Sequence, residues 1–173
     1  MTTQRPTGLN KLAQTLLNTR GTLYRGADVN GLSPHSDAFL DLCAQTRQGP
    51  LLHRDLVTPR RFRRFLSGMT IFEPIIENGG VADALIRLVG TETATDYGEV
   101  AGTYVSGYSE REIRERVLAA LHMVVTDGAP VCVMGTFSSA RFHKSVLVAY
   151  VPLTLREGGT QVDQVISYGR VHS

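Results

Sequence analysis

Five polar side chains beyond residue 80 have the chemistry of a carboxylate receptor: Arg87, Tyr97, Tyr104, Arg141 and His143. A guanidinium offers a carboxylate two parallel hydrogen bonds, and a tyrosine hydroxyl or an imidazole can complete the shell. Tyr97 and Tyr104 stand in a short polar stretch, Thr91–Tyr108. Arg141 and His143 stand in a turn between two apolar runs. Arg87 alternates with apolar neighbours, so it faces either an interior or solvent. Small-ligand sites are mostly apolar with a few placed polar groups, and Met123 and Met134 are adaptable wall material. The pattern favours a small acidic metabolite, although Arg141 and His143 read equally well as solvated turn residues.

Other chemistries find less support. Ser106 and Ser109 lack a G-x-S-x-G context. His35, His53, His122, His143 and His172 show no metal-ligand spacing. Gly79-Gly80 and Gly158-Gly159 read as hairpin turns, not as a phosphate loop. A cone-shaped isomerase or dehydratase would need one buried carboxylate as base opposite a Tyr or His donor. Glu92, with Tyr97, Tyr104 and His143, fits by residue type. The order of elements runs against it, because those folds place most helices first.

Charge supplies a second kind of partner. The chain carries a net +2, but residues 1–66 hold ten Arg/Lys and four Asp/Glu, whereas residues 67–173 hold eight and twelve. Arg60, Arg61, Arg63 and Arg64 concentrate the basic half around Phe62 and Phe65. Such a cluster can meet phosphates or an acidic protein. It can equally face the acidic half of its own fold or of a second subunit, so nucleic acid is not the expected partner.

The elements that must position these groups follow from periodicity. Leu9, Leu12, Ala13, Leu16 and Leu17 recur at i, i+3, i+4, i+7 and i+8, which is one helical stripe. A helix this short is marginal alone. Its stripe must lie on its own domain or, through Leu9, Leu12 and Leu16, on a second copy in a homodimer. Residues 22–33 read as loop. Pro34 opens a second helix that runs to about Arg47. Thr58 as N-cap and Pro59 at the first position predict a third, ending at Gly68.

Met69–Ile76 reads as a strand, turned by Asn78-Gly79-Gly80 into a second that ends at Gly90. After the polar cap, Ser109-Glu110-Arg111-Glu112 reads as a capping box. It opens the longest helix, whose stripe is Ile113, Val117, Ala120, Leu121 and Val124. Glu110–Arg114 and Glu112–Arg116 can pair along that helix at i, i+4. Strands over 130–138, 145–155 and 164–171 follow, separated by turns at Ser139–Lys144 and Glu157-Gly158-Gly159. The expectation is an α+β chain with a helical arm over 1–33 and one domain over 34–173.

At 42% hydrophobic content over 173 residues, a single domain can bury a real core. No apolar run approaches the roughly 18 residues of a membrane span. The N-terminal MTTQRPTGLNK lacks the apolar centre of a signal peptide. Cys43 and Cys132 form no C-x-x-C, so neither zinc nor a disulfide framework is expected. A reduced, cytoplasmic protein that does not enter a membrane is the simplest expectation.

The run Arg87-Leu88-Val89-Gly90-Thr91-Glu92, followed by Tyr97-Gly98 and Gly102, resembles the single-domain PAS-type proteins of alphaproteobacteria. In these an R-L-V-G-T-E run leaves the second strand and enters the cap. Val124–Gly128 feeding Pro130-Val131, Pro152-Leu153 in the fourth strand and Tyr168-Gly169 in the fifth extend the resemblance over about Leu56 to Val171. It implies a PAS-like five-stranded antiparallel sheet whose inner face and helical cap enclose a small cavity. It also implies a sensory or protein-interaction role, with dimerisation through flanking helices. No kinase, cyclase or DNA-binding segment accompanies the domain, so a separate signalling protein would be the partner. PAS cavities hold haem, flavin, a small metabolite or nothing. Thr91–Tyr108 lacks the cysteine of photoactive flavin domains. His122, the one helical candidate for a haem ligand, sits just beyond the apolar arc. No cofactor is assigned.

Overall fold

The computed structural model describes residues 21–108, 110–139 and 142–172. The Leu9/Leu12/Leu16 stripe, Ser109 and Arg141 lie outside the described residues. The strands are β1 (Thr22–Arg25), β2 (Leu52–His53), β3 (Met69–Glu77), β4 (Gly80–Val89), β5 (Val131–Ser139), β6 (Phe142–Thr154) and β7 (Gln164–His172). The helices are α1 (Pro34–Thr46), α2 (Thr91–Tyr97) and α3 (Arg111–Asp127). One open sheet runs in the order β1-β5-β6-β7-β3-β4, and β2 pairs with the end of β6. The β2–β6 pairing is parallel and the others are antiparallel, so the described chain is α+β.

The five expected strands are β3 to β7; β1 and β2 are additional. β1 corrects the loop reading of 22–33. Thr22 to Arg25 pair with Met134 to Val131, and so cover the ladder that β5 would otherwise expose at the sheet edge. The β3–β4 hairpin closes through Asn78 (φ 51°) and Gly79 (φ 75°). Both central residues are left-handed, the geometry whose twist matches two paired strands.

Alternation along each strand sends apolar residues to both faces. On β6, Leu147, Ala149, Val151 and Leu153 join an outer cluster with Ile166 and Tyr168 of β7. α1 covers this face with Phe39, Leu40 and Cys43. Ser33 caps α1 by accepting a hydrogen bond from Ser36 N–H at 3.1 Å. On the inner face, Phe72, Ile86, Val133, Tyr150 and Val165 meet Ala119, Ala120, Leu121, Met123 and Val124 of α3. The sheet is the middle layer, with α1 on one side and α3 on the other.

Two expectations about helices need correction. Residues 58–68 form no helix. Thr58 does cap one turn, accepting from Arg61 N–H through Oγ1 at 3.3 Å, and its carbonyl accepts from Phe62 N–H at 3.0 Å. The chain then tightens: Phe65 N–H bonds Phe62 O at 2.8 Å and Gly68 N–H bonds Phe65 O at 3.0 Å, ending in a 3-10 turn over Leu66–Gly68. These short turns place Phe62 and Phe65 against Phe39, at ring separations of 6.3 and 5.5 Å, and Phe65 against Tyr168 at 5.0 Å. Burial of both rings, and entry into β3 at Met69, override the helical start signal.

The second correction concerns α3. Its N-cap is Glu110, which makes no side-chain cap bond. Arg111 pairs with Glu115 at 2.7 Å, while the Arg114 guanidinium donates to Tyr108 O at 2.6 Å and not to the Glu110 carboxylate. Glu112–Arg116 does not form, because Arg116 turns into the interior and is 5% exposed.

Phe62→Ala should cost about 3–5 kcal/mol, as large-to-small core changes do, and Arg63→Ala no more than about 0.5 kcal/mol. Urea unfolding of the two variants checks this. Equal effects would mean that the rings do not anchor the turn.

Candidate ligand cavity

Between the inner face of the sheet, α2 and the start of α3 lies a cavity of about 370 Å³. The sheet register gives its floor as three rows. Thr70, Ser167 and Tyr150 lie side by side on β3, β7 and β6. Two residues along come Gly169 and Val148, with Gly68 beside them. Two further on come Val171, Val146 and Gly135. Gly169 removes a side chain from the middle of the inner face, beside Val148, and this hollows the floor. Ile113 and Val117 of α3 roof it.

Arg116 is the one buried charged residue among those described. Its guanidinium lies against the backbone of Gly135, where a Cβ would collide with it. Nη1 donates to Thr136 O at 3.0 Å. No carboxylate among the described residues pairs with it. Thr70 and Ser167 are each 4% exposed, and neither hydroxyl bonds another described group. A nearly buried cation and two hydroxyls without described partners thus line one hollow of mixed polarity.

The Arg87–Glu92 run builds the adjoining wall rather than the floor. Gly90 N–H donates to Met69 O at 2.7 Å. A Cβ at Gly90 would strike the carbonyls of Leu66 and Ser67, so only glycine lets β4 pass beneath that turn. Thr91 then begins α2, and Glu92 accepts from Ser67 Oγ at 3.1 Å. Glu92, Thr93, Thr95 and Asp96 of α2 face the cavity.

The residues singled out by type are dispersed. Arg87 is exposed, holds Glu73 at 2.5 Å and does not line the cavity. Tyr104 is 47% exposed beside the β4 edge, where it bridges Leu85. Tyr97 ends α2 and His143 is the second residue of β6, but both side chains lie outside what the structure describes, as does all of Arg141. Arg60, Arg61, Arg63 and Arg64 are exposed on the loop that covers the outer face. There Arg64 lies 5.5 Å over the Phe65 ring and Arg61 reaches Leu56 O at 3.4 Å. His122 accepts from Val81 N–H at 3.2 Å, which fixes it to β4 and away from the cavity.

Sequence reasoning missed Arg116, Thr70, Ser167 and Lys144, all of which line the cavity. Arg116 had a visible signal: it falls three residues after Ile113 and four before Ala120, inside the apolar stripe of α3.

Nucleophilic and metal chemistry find no footing among the described residues. Burial pushes the Cys43 thiol up to about 12. Burial also raises Cys132, although its contact with Ser36 works the other way. No group of three described His, Cys, Asp or Glu could hold a metal ion, and no described helix is long and apolar enough to cross a membrane. No family model, curated protein or solved structure matches the chain.

Gly135→Ala should drive the guanidinium off the Thr136 carbonyl and cost about 1–3 kcal/mol, the penalty of an unsatisfied buried polar group. Gly107→Ala, where a Cβ meets open space, should change stability by no more than about 0.5 kcal/mol. Urea melts of both variants decide; a neutral Gly135→Ala would mean that Arg116 is not held there.

Proposed function

We propose that the protein is a PAS-type sensory and protein-interaction module that binds a small acidic metabolite in the cavity beneath α2 and α3. The order of elements supports the PAS part of the reading: two strands, a short-helix cap, one long helix and three strands. The observation that carries the ligand part is Arg116. An arginine cannot shed its proton in a protein, so this nearly buried side chain brings a full, unpaired charge to the cavity wall. A buried charge without a partner costs several kcal/mol, and one neutral carbonyl compensates only part of that. An anion entering the cavity supplies the missing counter-charge, and the Thr70 and Ser167 hydroxyls can hydrogen-bond its remaining polar atoms. Output passes to a second copy through the Leu9/Leu12/Leu16 stripe or to a separate cytoplasmic signalling protein. A cone-type enzyme draws less support, because Glu92, its proposed base, is exposed and held by Ser67.

Calorimetric titration with three- to six-carbon mono- and dicarboxylates tests the reading. At least one acid should bind at micromolar to millimolar concentration. Arg116→Met, close in volume, should weaken it about 10- to 100-fold, as loss of a charge-assisted hydrogen bond does. Arg116→Lys, keeping the charge, should fall between. Absence of binding by every acid, or a purified protein with a haem or flavin spectrum, would overturn the proposal.

A further inference from the structure

The cavity holds a second uncompensated charge. Asp96 of α2 lines it, is partly buried, and bonds no other described group. It does not pair with Arg116. The two stand on opposite walls: α2 is fastened over the β3 side by Gly90 and Glu92, whereas the Arg116 guanidinium lies over β5. β6 and β7 run between them. Three strand spacings separate the backbones of β3 and β5, about 14 Å. The floor between the walls is Val146, Val148, Val171 and the bare backbone of Gly169; Lys144, one row beyond Val146 on β6, adds a cation towards the Arg116 side, and Glu92 adds a carboxylate on the Asp96 side.

From this arrangement we infer that the preferred occupant is dipolar: a carboxylate joined by a short aliphatic chain to an ammonium group. The inference rests on the acid-binding reading of the same cavity and narrows it. A monocarboxylate meets Arg116 but leaves Asp96 unmatched. A dicarboxylate brings a second negative charge towards Asp96 and Glu92, which repel it. A simple amine meets Asp96 and is repelled by Arg116. An ω-amino acid matches both walls and lays its methylenes on the valines. It is also neutral overall, so it enters without adding net charge to the cavity.

The test is calorimetric titration of the full chain with hexanoate, adipate, hexylamine and 6-aminohexanoate, together with butyrate and 4-aminobutyrate. At one of the two lengths the amino acid should bind at least about tenfold tighter than the alkanoate, the worth of one charge-assisted hydrogen bond. Asp96→Asn should remove that advantage and leave alkanoate binding equal or stronger. Arg116→Met should weaken both ligands. If hexanoate, adipate or butyrate binds as tightly as its amino counterpart, the dipolar inference falls while the acid-binding reading stands. The dipolar inference falls in the same way if the advantage survives in Asp96→Asn. If no carboxylate binds, both fall.

Discussion

One guanidinium constrains the inner half of this protein. Arg116 enters the interior from the middle of a helix, and the chain makes room for it by leaving β5 bare at Gly135. The contact is with backbone, to the Thr136 carbonyl, and this fixes the cation without neutralising it. The neighbouring sheet positions respond to the same demand. Gly169 keeps the floor open beside Val148, and Thr70 and Ser167 put hydroxyls where the inner cluster would otherwise continue apolar. A core built for stability alone would fill that space with valine or leucine, because buried ionic groups are poor substitutes for packed apolar ones.

Stability comes from elsewhere. The outer face carries an aromatic cluster of Phe39, Phe62, Phe65 and Tyr168, and the deep part of the inner face carries Leu121, Met123 and Val124 from α3. The two are joined through one sheet, so the open cavity sits on a floor backed by closely packed side chains. The cavity wall is also tied to the outer layer. Gly90 slides beneath Leu66 and Ser67, and Glu92 takes the Ser67 hydroxyl. The turn that anchors Phe65 in the outer cluster therefore also holds α2 over the cavity.

The sequence made the regular elements readable wherever period and punctuation agreed. Asn78-Gly79-Gly80 announced a hairpin, which the chain closes in two residues because Gly80 already pairs with Glu77. It misled where tertiary packing overrode a local signal. Thr58-Pro59 is a sound helix start, yet the pull of two phenylalanines into one cluster turns those residues into tight turns. β1 was hidden because four residues carry too little periodicity; its pairing with β5 is specified by a partner more than a hundred residues away. The candidate site was the least legible part. Arg87 and Tyr104 were attractive by type, but the strand register turns one to Glu73 and leaves the other at an edge. Arg116 was assigned to a surface pair with Glu112, although its place in the apolar stripe argued for the interior. Thr70 and Ser167 gave no signal, since each is an ordinary strand residue until the register sets them side by side.

The measurement that bears most directly on the central claim is the side-chain NMR signal of the Arg116 Nε–H group during titration with a short-chain carboxylate. A buried guanidinium that anchors the ligand should give a discrete, slowly exchanging Nε–H resonance. That resonance should shift saturably, with the same dissociation constant as the calorimetric titration, while the resonances of exposed Arg60 and Arg63 stay in place. An Arg116 signal that does not move at saturating carboxylate, or that moves no more than those of the exposed arginines, would contradict the account.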